Sequence, residues 1–96
     1  MSYKYILKFL PSALREWKKL DSSIQSLFKN KLKERLNNPK VKSDRLRGFQ
    51  NHYKIKIKSA GYRLVYEVEE QKITVLVIAV GKRDKFQVYV KAKTRK

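Results

Sequence analysis

Residues 51–68 read NHYKIKIKSAGYRLVYEV, and the alternation within them decides how the rest of the chain is arranged. Successive side chains of a strand point to opposite faces, so Tyr53, Ile55 and Ile57 share one face and Lys54, Lys56 and Lys58 the other. Ser59-Ala60-Gly61 supplies a turn, with Gly61 free to take a positive φ. Beyond it Tyr62, Leu64, Tyr66 and Val68 face one way, and Arg63, Val65 and Glu67 the other. A slip of one residue exchanges the faces, which makes the register testable. Pairing Lys58 with Arg63 sets Ile57 opposite Leu64, Ile55 opposite Tyr66 and Lys54 opposite Glu67; pairing Lys58 with Tyr62 mixes apolar and charged positions. The first register is expected. It gives a hairpin with one apolar and one cationic face, and the cationic face is the candidate working surface.

Upstream, Tyr3 to Phe9 alternates Tyr3, Tyr5, Leu7 and Phe9 against Lys4, Ile6 and Lys8, as a strand at or near a sheet edge does. Pro11 ends it and suits the first turn of a helix, with Ser12 as an alternative cap. Leu14, Trp17 and Leu20 share a face of that helix, leaving Arg15, Glu16, Lys18 and Lys19 outward. Asp21 reads as the N-cap of a second helix carrying Ile24, Leu27, Phe28, Leu32 and Leu36, which Asn37-Asn38-Pro39 stops. The short connection around Asp21 implies an antiparallel helix pair. Downstream, Ile73 to Val80 (ITVLVIAV) is β-branched and nearly continuous, the pattern of a central strand buried on both faces. In the tail, Phe86, Val88 and Val90 alternate as in a strand, while the segment also tolerates a short helix. The fold class expected is α+β, a single domain over residues 1–96: an N-terminal strand, the helix pair, then a largely antiparallel sheet.

Composition narrows the function. Twenty-five Lys+Arg against eight Asp+Glu give a net charge of +17, which costs a folded chain self-repulsion and points to a polyanionic partner, nucleic acid first. There is no cysteine and a single histidine, His52, so thiolate metal sites and two-histidine acid–base pairs are excluded. No cofactor or metal is expected. The apolar run Val75 to Val80 is far shorter than the roughly 20 residues that span a bilayer. The N-terminal MSYKYILKFL carries lysines within its apolar stretch, unlike a signal peptide. A cytoplasmic location without membrane contact is expected.

Lys54, Lys56, Lys58 and Arg63 place four cations on adjacent strands, an arrangement that serves equally to repel edge-to-edge strand pairing. The basic loop Gly81-Lys82-Arg83, with Lys85 just beyond, follows the buried strand, and Tyr89 adds a phenol that can stack on a base or move a proton. Such groups can grip a phosphodiester and stabilise extra charge on it. Glu67 is expected as a salt-bridge partner of Lys54, and His52 as a solvated bystander on the lysine face.

Leu46-Arg47-Gly48, Tyr53-Lys54-Ile55-Lys56, Gly61-Tyr62-Arg63-Leu64-Val65-Tyr66, Val80-Gly81-Lys82-Arg83 and Val88-Tyr89 closely resemble the blocks of the RelE toxins of bacterial toxin–antitoxin pairs, in the same order over almost the whole chain. The resemblance implies the microbial-ribonuclease-like fold and an endoribonuclease that enters the ribosomal A site of the 30S subunit and cuts messenger RNA there. It implies a monomeric active toxin, neutralised in a hetero-oligomer by an acidic, RelB-like antitoxin. Carried over block by block, the catalytic set is Lys54, Lys56, Arg63, Arg83 and Tyr89, with Arg47, Lys58, Lys82 and Lys85 binding RNA or ribosome. Two other readings stay open: a same-fold toxin without nuclease activity acting on a protein such as gyrase, and a non-catalytic basic RNA-binding protein.

Overall fold

The sheet is built around β4 (Thr74–Lys82), the strand whose residues read as buried on both faces. A computed structural model describes residues 3–82 and 87–95. Among these, β1 (Ile6–Phe9) runs parallel to β4 on one side, β3 (Tyr62–Glu69) runs antiparallel to it on the other, and β2 (His52–Ile57) pairs antiparallel with β3, giving the order β1-β4-β3-β2. Between β1 and β2 the chain forms α1 (Pro11–Lys18) and α2 (Ser22–Arg35), with Pro11 at the helix start and Asp21 in the N-cap position. The Asp21 carboxylate engages the Ser23 hydroxyl instead of a backbone N–H of the helix. This is the α+β arrangement expected.

The hairpin register differs from the expected one by two residues. Ile57 pairs with Tyr62, Lys56 with Arg63, Ile55 with Leu64, Lys54 with Val65, Tyr53 with Tyr66 and His52 with Glu67. Lys58 belongs to the turn rather than the ladder: the Ala60 N–H donates to the Ile57 carbonyl and the Gly61 N–H to the Lys58 carbonyl, both at 3.3 Å, with Gly61 at φ +67°. An even shift keeps every side chain on its face, so the apolar and cationic faces survive. What changes is who sits opposite whom. Glu67 meets His52 rather than Lys54, and Lys56 meets Arg63.

Tyr53, Ile55, Leu64, Tyr66, Val75 and Val77 pack beneath the first two helices with Phe28, Leu32 and Leu36 of α2 and its cap. Trp17 bridges the layers, its ring centroid 5.4 Å from Phe9 and 6.2 Å from Phe28. Two residues read as apolar-face positions are instead exposed, Leu14 at 37% and Leu27 at 43%, while Ala13 takes the buried place in α1.

Alternation fails in β4 because of a bulge. Val65 pairs with Ala79 and Tyr66 with Val77, so Ile78 is an extra residue and the parity of the strand reverses across it. Val75, Val77 and Val80 therefore face the first two helices, while Ile78 and Ala79 face the opposite side. That side is covered by α3 (Gln87–Arg95), so Val88 and Val90 of the ambiguous tail are helical; Phe86 lies outside the described residues. Val88 and Ala92, one helical turn apart, are both buried against Val65, Ile78 and Ala79. Burial of this stripe outweighs the strand preference of Val88 and Val90.

Candidate active site

Lys54 and Lys56 project from β2 on the side of the sheet that carries α3, and Arg63 stands directly across from Lys56 on β3. All three are half-buried. The helix brings Tyr89 to them. Arg63 Nη1 donates a 2.8 Å hydrogen bond to the Tyr89 hydroxyl, and its guanidinium carbon lies 5.7 Å from the centre of the phenol ring. Gly81, opposite Arg63 on β4, leaves room for the approach: a Cβ there would lie 3.3 Å from Val88 Cγ2, at the start of α3, a tight contact.

The cluster is cationic enough to alter its own chemistry. The charge of Lys54, then desolvation, then the charge of Arg63 lower the Lys56 pKa below the usual lysine value, against a smaller opposing effect of Tyr89. Among the described residues no group of three histidine, aspartate or glutamate side chains is placed to hold a metal. The arrangement can bind a phosphodiester, compensate added negative charge on it and exchange protons through an ammonium and a phenol.

The remaining sequence candidates scatter. Lys58 is exposed in the hairpin turn, where it lines a depression of about 340 Å³ with Leu27, Lys31 and Lys56. Lys82 pairs with Tyr62 and so takes the opposite face of the sheet from Arg63, whose partner is Gly81. Arg47 is exposed in a loop beside a separate depression of about 300 Å³, with Lys42, Arg45 and Phe49. Arg83 and Lys85 lie outside the described residues. His52 is on the lysine face but is not solvated. It is 4% exposed, its Nδ1 lies 2.7 Å from the Gln50 carbonyl, and its ring centre is 5.1 Å from that of Phe49.

A family model described as the ParE toxin of type II toxin–antitoxin systems matches residues 7–85. The mRNA interferase toxin RelE of Escherichia coli strain K12 is 47% identical over 91 residues, 95% of this chain and 96% of that protein. This chain belongs to the RelE toxin family. Among solved structures, a double arginine-to-alanine mutant of E. coli toxin RelE in the free state superposes with a TM-score of 0.89 at 45% identity, covering 99% of this chain and 98% of the other. RelE from the intact E. coli RelBE toxin–antitoxin complex superposes with a TM-score of 0.82 at 47% identity, covering 84% and 99%.

In this RelE-family chain the cluster is held by residues to which the sequence reading gave no such role. Arg35 of α2 donates from Nη1 to the Lys54 carbonyl at 3.2 Å and to the Tyr66 hydroxyl at 2.8 Å, and pairs through Nη2 with Asp44. Tyr66 in turn donates to the Pro39 carbonyl at 2.6 Å. Burial, only partly offset by Arg35, pushes its phenol up to about 12, so it stays neutral and acts as a brace. Glu16, read as an outward-facing charge, instead accepts bonds from the β4 backbone and from α3. No local periodicity marks these contacts, because their partners lie from nine to 79 residues apart in the chain.

Proposed function

We propose that this chain is the toxin of a toxin–antitoxin pair, an endoribonuclease that cuts messenger RNA in the ribosomal A site and is restrained in the cytoplasm by an acidic antitoxin. The observation that carries the reading is the meeting of Lys54, Lys56 and Arg63 with the Tyr89 phenol on one face of the sheet. It is supported by the family to which the chain belongs, whose relatives include proteins named mRNA interferases and toxins solved in complex with antitoxin. Among the described residues no helix is long and apolar enough to cross a membrane.

The side chains of the cluster suit transesterification by the RNA's own 2′-hydroxyl. Lys56, whose proton is loosened by Lys54 and Arg63, is placed among groups able to accept the hydroxyl proton. Arg63, with Arg83 carried over from the family pattern, compensates the charge that builds on the phosphorane. The Tyr89 phenol gives its proton to the leaving 5′-oxygen, and the Arg63 guanidinium, which stays charged, stabilises the phenolate left behind. Arrival of the phosphate returns the Lys56 pKa toward its ordinary value, so free RNA is a poor substrate. Orientation of the 2′-hydroxyl by the ribosome offsets this, an effect worth several kcal/mol when in-line geometry is enforced.

The test is single-turnover cleavage on programmed ribosomes with end-group analysis. The expected products are a 2′,3′-cyclic phosphate and a 5′-hydroxyl, and a messenger with a 2′-deoxy residue at the cut position is expected to bind and stay intact. A 5′-phosphate product, or cleavage of the deoxy-substituted messenger, overturns the mechanism. Binding without any cleavage favours the non-catalytic RNA-binding reading instead.

A further inference from the structure

Strand β1 stops pairing with β4 at Phe9 opposite Val77, which leaves the β4 backbone beyond that point open on one edge. Two side chains close it. Glu16 Oε1, from α1, accepts the Val80 N–H at 3.1 Å, and Arg95, from the last turn of α3, donates to the Ile78 carbonyl at 2.9 Å. The same two side chains then grip each other: Arg95 Nη1 reaches Glu16 Oε1 at 2.9 Å and Nη2 reaches Oε2 at 3.0 Å, a two-pronged pair. Lys91 Nζ adds a third donor, 3.0 Å from Oε2. Lys91 and Arg95 are one turn apart on α3, so the carboxylate fixes a whole edge of the helix.

This matters for Tyr89 because, among the described residues, the helix is also restrained by the Val88–Ala92 stripe on the sheet and by the hydrogen bond to Arg63. An apolar stripe tolerates rolling. Given a Cα radius of about 2.3 Å and a tyrosine hydroxyl roughly 8 Å from the axis, a roll of about 20° moves that hydroxyl by roughly 3 Å. That breaks its bond to Arg63. The Glu16 grip runs along one edge of that same face, through Lys91 and Arg95, and its directed bonds resist the roll.

We propose that Glu16 is a positioning residue for the reaction: by holding Lys91 and Arg95 it sets the rotation of α3 and thereby the place of the Tyr89 hydroxyl beside Arg63. The catalytic half of this inference rests on the nuclease reading above; the mechanical half does not. Glu16 touches neither Tyr89 nor the lysine face in any of the contacts just described, so its effect on the reaction passes through the helix.

The experiment compares wild type, Glu16→Gln, Arg95→Ala, Arg95→Lys, and Glu16→Gln combined with Tyr89→Phe. Hydrogen exchange of the α3 amides reads the grip without any substrate. It is expected to speed up about tenfold or more in Glu16→Gln and Arg95→Ala, and less in Arg95→Lys. Single-turnover cleavage reads the positioning. A slowing of about 10- to 100-fold is expected in Glu16→Gln with half-saturation by ribosomes changed less than about twofold, the size of effect produced by misplacement near 1 Å. In the Tyr89→Phe background, Glu16→Gln is expected to cause no further slowing. Equal slowing in both backgrounds assigns Glu16 a general structural role and overturns the proposal, as does faster exchange with an unchanged rate. Unchanged exchange overturns the grip itself. Should Glu16→Gln fail to fold, Arg95→Ala, which leaves Val80 capped by Glu16, carries the same comparison. A wild-type protein that cleaves nothing overturns the nuclease reading, and the exchange arm still accepts or rejects the grip.

Discussion

Arg63 and Tyr89 meet in two ways at once: Nη1 donates to the phenol oxygen at 2.8 Å while the guanidinium carbon stands 5.7 Å from the ring centre. A planar guanidinium can hydrogen-bond the hydroxyl and lie within cation–π range of the ring, whereas an ammonium is a point charge. Tyr89→Phe is therefore expected to slow single-turnover cleavage by about 10²–10⁴-fold, as loss of a proton-transfer group does. Arg63→Lys is expected to fall between wild type and Arg63→Ala. Both comparisons are made on programmed ribosomes at saturating protein, so that chemistry and not binding is read.

The pairing of Lys56 with Arg63 sets like charges directly opposite each other, which opposes folding. The folded state holds the Lys56 proton less tightly than the unfolded chain does, since its pKa is lowered from 10.5, chiefly by Lys54. The repulsion is thus fully present at neutral pH and is relieved as pH rises through the lysine range. Lys56→Met is expected to raise Tm at neutral pH, with a smaller gain in strongly alkaline buffer, while cleavage falls by about 10²-fold or more. Thermal unfolding at the two pH values checks the first part.

Acid should act through Glu16. Burial alone would raise its pKa, but the bonds from Arg95, the Val80 N–H and Lys91 outweigh it and hold the carboxyl at about 2, against 4.5 for the free group. A depressed carboxylate contributes stability above its unfolded pKa and loses it as pH falls through the folded one. Between about pH 4.5 and pH 2 the wild type is expected to lose stability that Glu16→Gln lacks at every pH. The two curves should converge at the acid end. Denaturant titrations across that window test it, and parallel curves would show that other groups govern acid unfolding.

Gly81 has no positive φ to explain it; its role is space, with Val88 Cγ2 3.3 Å from where a Cβ would be. Gly81→Ala is expected to displace the first turn of α3 by a few tenths of an ångström and to cost about 1 kcal/mol in stability. Its effect on cleavage should exceed its effect on folding, because that turn carries Tyr89. Adding Val88→Ala relieves the contact and should recover part of the rate, measured in the same single-turnover assay.

The face of each residue in β2 and β3 was legible because alternation is a local property of extended chain. The partner of each residue was not. Register depended on whether Lys58 joins the ladder or the turn, and the two choices differ by an even number of residues that the apolar pattern cannot distinguish. The tail was ambiguous for a similar reason: Val88 and Val90 favour strand locally, and only the bed of Val65, Ile78 and Ala79 makes the helical stripe of Val88 and Ala92 worth more. That bed exists because a bulge at Ile78 turns two consecutive residues of β4 toward the same side. A run of β-branched residues gives no sign of it.

By itself the sequence determined the order of the elements as far as the central strand, the two-faced hairpin, the excess of cations and the family pattern, all of which are set by local periodicity or by residue type. Only the tertiary structure decided that Lys56 faces Arg63, that Tyr89 reaches Arg63 across 26 positions of chain, that Lys82 takes the other face, and that Glu16 closes the open edge of β4 while gripping α3. These are contacts between segments far apart in the chain. They form only once the core has brought their backbones together, and nothing in the local pattern of either partner records the other.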